Sequence, residues 1–187
     1  MSLIRLRSGG VFIGLSYYQS LLLLLLSLAA LADLQTDHIP NGFIAVGIVI
    51  GLAGSQGYGP GLSSSAASML LAFLLLYPLF KIGTMGAGDI KTLIMTGCFL
   101  TLEEFLTVLA AAFVAGAVIS LGKLAAEGNG KERMRCLLSY GLEVRRSGHW
   151  KLYEEDLGQD RRLYRRNKIH FTIPILLGAA LRIGGVI

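Results

Sequence analysis

The sequence predicts an all-α, polytopic membrane protein: a bundle of about six transmembrane helices with a short cytoplasmic insertion before the last helix. Three observations predict it. The 187 residues are 53% hydrophobic and only 16% charged, more apolar and less charged than soluble domains. The apolar residues come in runs near membrane-spanning length. The net charge of +5 lies mostly in one stretch before the last apolar run, where it informs topology rather than nucleic-acid binding. A chain of this length reads as one membrane-embedded domain, 1–187.

The first apolar run is Val11 to Ala32, with six consecutive leucines from Leu21 to Leu26. Behind Arg5 and Arg7, and ending Ala30-Leu31-Ala32, it has the outline of a secretory signal peptide. Its length and the equally apolar remainder of the chain favour a bundle helix instead. A polar stretch, Asp33 to His38, separates it from the second run, which Pro40 opens and which ends near Leu52. Proline suits a helix start, where its missing N–H costs nothing. After a glycine-rich turn the third run spans Leu62 to Ile82. Its serines and alanines allow close helix packing, and Pro78 is expected to kink it.

The fourth run, Ile90 to Leu102, is short. At about 1.5 Å per residue it covers roughly 20 Å of a core of about 30 Å. Glu103 and Glu104 are expected to end it at the far surface, leaving Asp89 below the near one. The alternative is a buried or re-entrant segment. The fifth run is Phe105 to Ala126, and the sixth Ile169 to Ile187, with Pro174 inside it.

Between these two lies the basic insertion, 127–168, with 11 lysines and arginines against 7 acids. It is too short for its own core. A short helix over 134–140 and extended structure over 149–154 are expected. The Arg161 to Lys168 cluster suits contact with anionic lipid headgroups or serves as a topology signal alone. With six spans, Lys81, Lys91 and the twelve basic residues from Lys123 to Lys168 fall on one side, against Arg5, Arg7 and Arg182 on the other. The positive-inside rule puts the former in the cytoplasm.

Cys98 and Cys136 lack ligand spacing and read as free thiols. His38, His149 and His170 are scattered in sequence, so neither a metal site nor a cofactor is expected.

Candidate chemistry sits at Gly86-Ala87-Gly88-Asp89-Ile90-Lys91. Glycine lets backbone pack or bend where a Cβ would clash. An aspartate at a helix start is favoured by the dipole. Alone, the pattern is also that of a plain helix cap. A second carboxylate, Asp33, closes the first run on the same predicted side. Ionisable residues at membrane depth are costly and face a cavity or a partner. Two carboxylates in one low-dielectric site split their titrations, one acting as acid and one as base, as in aspartic proteases. Asp37 competes with Asp33, but its place in the polar loop points to solvent. The plainer reading makes both aspartates helix-end residues, which the dipole disfavours for Asp33.

Asp33-Leu34-x-x-x-x-Ile39-Pro40-Asn41, Gly86-x-Gly88-Asp89-x-Lys91 and Phe171-x-x-Pro174, in this order, resemble the type IV prepilin peptidases and archaeal preflagellin peptidases. These are intramembrane aspartyl proteases of the Gly-x-Gly-Asp class. The resemblance implies Asp33 and Asp89 as the catalytic pair and Gly86 and Gly88 as loop-shaping residues. Lys91 fills the family's lysine position without an assigned role. It implies a prepilin or pilin-like precursor as substrate, its leader cut at the cytoplasmic face of the cell membrane. The sequence has no Cys-x-x-Cys pair, so the pilin N-methylation of larger bacterial members is expected to be absent. The competing readings are a small ion- or proton-coupled transporter and a non-enzymatic subunit of a pilus or secretion assembly. The sequence assigns no oligomeric state.

Overall fold

A computed structural model describes residues 17–82, 84–127 and 170–187. They form six helices: α1 (Tyr17–Thr36), α2 (Asn41–Ser55), α3 (Leu62–Lys81), α4 (Ala87–Gly97), α5 (Leu102–Glu127) and α6 (Thr172–Ile183). No strand occurs among the described residues. The expected helix over 134–140 and extended piece over 149–154 lie outside them, as does most of the basic insertion.

Three helices are long and apolar enough to cross a membrane: α1, α3 and α5. The other two apolar helices are shorter, α2 with 15 residues and α6 with 12. The helix α4 has only 11. Length and composition therefore mark three spans where the apolar runs predict about six.

Helix boundaries differ from the apolar runs in two places that matter. The helix α1 continues through Asp33 to Thr36 and closes with Asp37 in the left-handed region, φ 55°. Aspartate is among the few non-glycine residues that visit this region. The Asp37 amide donates to Asp33 O at 3.0 Å, and the Thr36 hydroxyl lies within 2.8 Å of Ala32 O and 2.7 Å of His38 O. Downstream, α4 stops at Gly97, and Glu103 and Glu104 belong to the first turn of α5 rather than to the end of α4. Thr101 and Glu104 explain this as a reciprocal cap. The Glu104 amide donates to Thr101 Oγ1 at 3.3 Å, and Glu104 Oε2 accepts from the Thr101 amide at 3.0 Å.

The short helix α4 is the centre of the bundle, packed against α1, α2, α3, α5 and α6. Leu93 and Met95 are fully buried there, with Leu22 and Leu26 of α1, Leu76 of α3, Phe105 and Val108 of α5, and Ile175 of α6. Helix ends leave carbonyls without partners inside the helix, and in lipid they cannot turn to water. Side chains of other helices meet them here. Tyr18 OH lies 2.6 Å from Gly51 O and 3.1 Å from Cys98 O. Ser65 Oγ donates to Cys98 O at 2.8 Å and Ser68 Oγ to Leu100 O at 3.2 Å. The serine-rich start of α3 thus supplies both close approach and caps. At Gly97 a Cβ would stand 3.1 Å from the Ser68 backbone.

Leu70, Phe73, Leu74, Leu75, Tyr77 and Phe80 of α3 point outward. Such a face suits lipid, where apolar exposure costs nothing and helix association depends on close packing and internal polar contacts.

Candidate active site

The site forms where the end of α1 meets the start of α4. Asp33 lies in the last turn of α1, and its side chain is only 9% exposed. Gly86 caps α4 with an extended backbone, φ −70° and ψ 148°. Asp89 is therefore the third helical residue, half-buried, where the positive end of the dipole favours a carboxylate. The two acids are 56 positions apart in the chain, Asp33 to Asp89, yet they line one cleft of about 250 Å³. The end of α1 contributes Asp33 to its wall, and the α1–α2 turn contributes Asp37, His38 and Ile39. The start of α4 contributes Gly86, Ala87, Gly88 and Asp89.

The glycines act through space rather than through unusual dihedrals. Neither has a positive φ. A Cβ at Gly86 would stand 3.2 Å from Asp89 Oδ2, tight enough to push the carboxylate. A Cβ at Gly88 would meet Ile39 Cδ1 at 3.6 Å, an ordinary contact. Gly88 thus seats Ile39, which is itself buried.

Lys91 is exposed, and its ammonium donates to Asn41 Oδ1 at 2.8 Å. It ties the second turn of α4 to the start of α2, at the rim of the site. Asp37 is the outermost of the three acids, with its side chain 41% exposed.

Two residues enter the site that the linear sequence did not bring to it, Thr172 and His170. Thr172 is fully buried at the start of α6 and donates its hydroxyl to Asp33 Oδ2 at 2.8 Å. The His170 ring stands between two acids, with Nδ1 3.1 Å from Asp33 Oδ2 and Nε2 3.8 Å from Asp37 Oδ1. Nδ1 is buried and, despite the short distance, is not aligned for a hydrogen bond. His170 is isolated in the sequence, and the return of the chain before α6 to the end of α1 brings it to Asp33. Spacing carried no signal for this, because 139 positions separate Asp33 from Thr172. The described residues include no group of three or more His, Cys, Asp or Glu arranged to hold a metal ion. Cys98 is buried with a free thiol, on the packed end of α4; Cys136 lies outside the described residues.

The cleft thus brings together one carboxylate from the end of α1 and one from the start of α4. The sequence profile of the type IV leader peptidase family matches residues 20–121, from within α1 to within α5. No curated protein and no solved structure matches the chain. The matched stretch contains both aspartates and more than half of the chain, and its apolar helices are those of a membrane protein. The chain is a member of the type IV leader peptidase family.

Proposed function

We propose that this protein is a membrane aspartic endopeptidase that removes the short leader from prepilin or pilin-like precursors. Asp33 and Asp89 are its catalytic pair. The observation that carries the reading is their shared cleft, at the joint between α1 and α4.

The chemistry follows from two carboxyl groups sharing one proton. The ionised one takes a proton from a water, whose oxygen bonds to the scissile carbonyl carbon. The protonated one gives its proton to the carbonyl oxygen. The resulting diol collapses, the C–N bond breaks and the amine leaves with the proton taken from water. The first carboxylate is then ionised again, and the second recovers its proton from the diol. The chain's own acids supply every proton transfer, so the reading needs no cofactor.

In this reading the six helices cross the membrane as a bundle, the shorter ones tilted little or locally thinning the bilayer. The basic residues of 127–168 and Lys81 and Lys91 then lie in the cytoplasm. The cleft opens toward that face of the cell (inner) membrane, where a basic leader and the start of an apolar substrate helix would meet it. Anionic headgroups are natural partners of the basic insertion. No pilin N-methylation is proposed, in keeping with the lack of a Cys-x-x-Cys pair in these residues.

The test is co-expression with a precursor carrying a basic leader, a glycine and an apolar helix, read as a mobility shift on a gel. Asp33→Asn and Asp89→Asn should each abolish the shift while the protein still accumulates in the membrane. Cleavage that survives both changes removes the reading.

A further inference from the structure

Asp33 Oδ2 accepts the Thr172 hydroxyl at 2.8 Å and has His170 Nδ1 at 3.1 Å. Thr172 opens α6 and His170 lies two residues before it, both outside the stretch matched by the family profile. We propose that Thr172 and His170 are positioning residues that hold the Asp33 carboxyl group in its reacting geometry. This rests on the reading of Asp33 and Asp89 as catalytic.

Three observations support the proposal. First, the Thr172 hydroxyl bonds Asp33 Oδ2 at 2.8 Å, and a hydroxyl can serve a carboxyl group as donor or acceptor. Thr172 is 1% exposed, so its donor has no water to turn to, and its rotamer is held by packing. Second, the bond fixes Oδ2 and leaves Oδ1 for proton exchange in the reaction. A group that exchanges a proton must meet its partner in a defined geometry, and a rigid neighbour supplies that. Third, His170 Nδ1 is a buried polar atom beside the same oxygen and not yet aligned with it. Catalytic hydrogen bonds are often misaligned without substrate and tighten when it binds. A turn of the ring completes a second contact to Oδ2. Among the described residues Asp37 also faces this ring, at 3.8 Å from Nε2, and it steadies the ring from the solvent side.

The experiment uses the full chain in detergent or lipid. The probe is a synthetic precursor peptide with a basic leader, a glycine and an apolar helix. Thr172→Val removes the hydroxyl and keeps the shape. It should lower kcat by roughly ten- to a hundredfold, the loss expected for one hydrogen bond to a charged group, with KM nearly unchanged. Thr172→Ser restores the donor and should recover most of kcat. His170→Ala should also lower kcat with little effect on KM. If Thr172→Val fails to accumulate in the membrane, the serine and His170→Ala variants carry the comparison.

Wild-type rates in both Thr172→Val and His170→Ala, while Asp33→Asn is dead, overturn this proposal and leave the proteolytic reading standing. A rise in KM at constant kcat also overturns it, because that marks substrate binding. Failure of the unaltered protein to cut the probe removes the proteolytic reading, and this inference with it.

Discussion

Lys91 Nζ donates to Asn41 Oδ1 at 2.8 Å, joining the residue after the Ile39-Pro40 step to the turn after Asp89. Both partners are exposed. Exposed polar contacts contribute little to stability, because water competes for both groups. The bond therefore sets the angle between α2 and α4 more than it holds the fold. Lys91→Met should leave accumulation in the membrane unchanged and lower precursor cleavage by no more than a few-fold. Complete loss of cleavage, with the protein intact, would move Lys91 from the rim into the reacting site.

Asp37 separates the catalytic reading from a merely acidic turn. Its side chain is 41% exposed and its backbone sits at φ 55°. Asparagine tolerates that backbone as aspartate does. Asp37→Asn should keep a large part of wild-type cleavage, whereas Asp33→Asn should have none. The gel assay on the two variants side by side decides which of the acids on the α1–α2 joint reacts. Equal loss in both would mean that Asp37 shares the chemistry.

Gly86 and Gly88 predict opposite sensitivities, although they look alike in sequence. A methyl group at Gly86 would come within 3.2 Å of Asp89 Oδ2. It has to move a carboxylate whose position the proposed reaction depends on, and small displacements of reacting groups are costly. At Gly88 the same methyl meets only Ile39 at 3.6 Å. Gly86→Ala should lower kcat more than tenfold, a loss of about 1.4 kcal/mol or more in barrier terms, and Gly88→Ala much less. Kinetics on the two single variants check the order. The reverse order would show that the loop matters through backbone freedom instead.

Some of this was legible in the sequence, and some was not, for identifiable reasons. Asp33 and Asp89 stood out because a carboxylate beside a long apolar run is expensive unless it is used. The serines of α3 stood out because small residues in such a run mark close packing. Helix ends were less legible. Apolar runs report where lipid or core is, and a helix continues past them as long as its backbone is capped. So α1 runs on through Asp33 and Thr36. The Thr101-x-x-Glu104 cap, a readable pattern, hands Glu103 and Glu104 to α5. The contact between Thr172 and Asp33 had no sequence signal, since it depends on how α6 packs across α1 and α5.

That packing of α6 depends on Gly178. A Cβ there would stand 2.7 Å from Val108 O and 3.1 Å from Ala112 N, both backbone atoms of α5. Backbone in a helix cannot yield as a flexible side chain can, so any larger residue must push α6 away from α5. Overpacking of this kind costs about 1–3 kcal/mol, more where the backbone itself must shift. The effect should reach the site, because α6 also carries Thr172 to Asp33. Gly178→Ala should lower the thermal aggregation midpoint in detergent, and Gly178→Leu should lower it further or prevent accumulation. Cleavage by Gly178→Ala should fall at temperatures where the protein is still folded. The outward-facing neighbour supplies the contrast: Leu177 is 44% exposed, and Leu177→Ala should change neither the midpoint nor the rate appreciably. A Gly178→Ala protein as stable and as active as the unaltered one would mean that α5 and α6 do not approach this closely in the membrane.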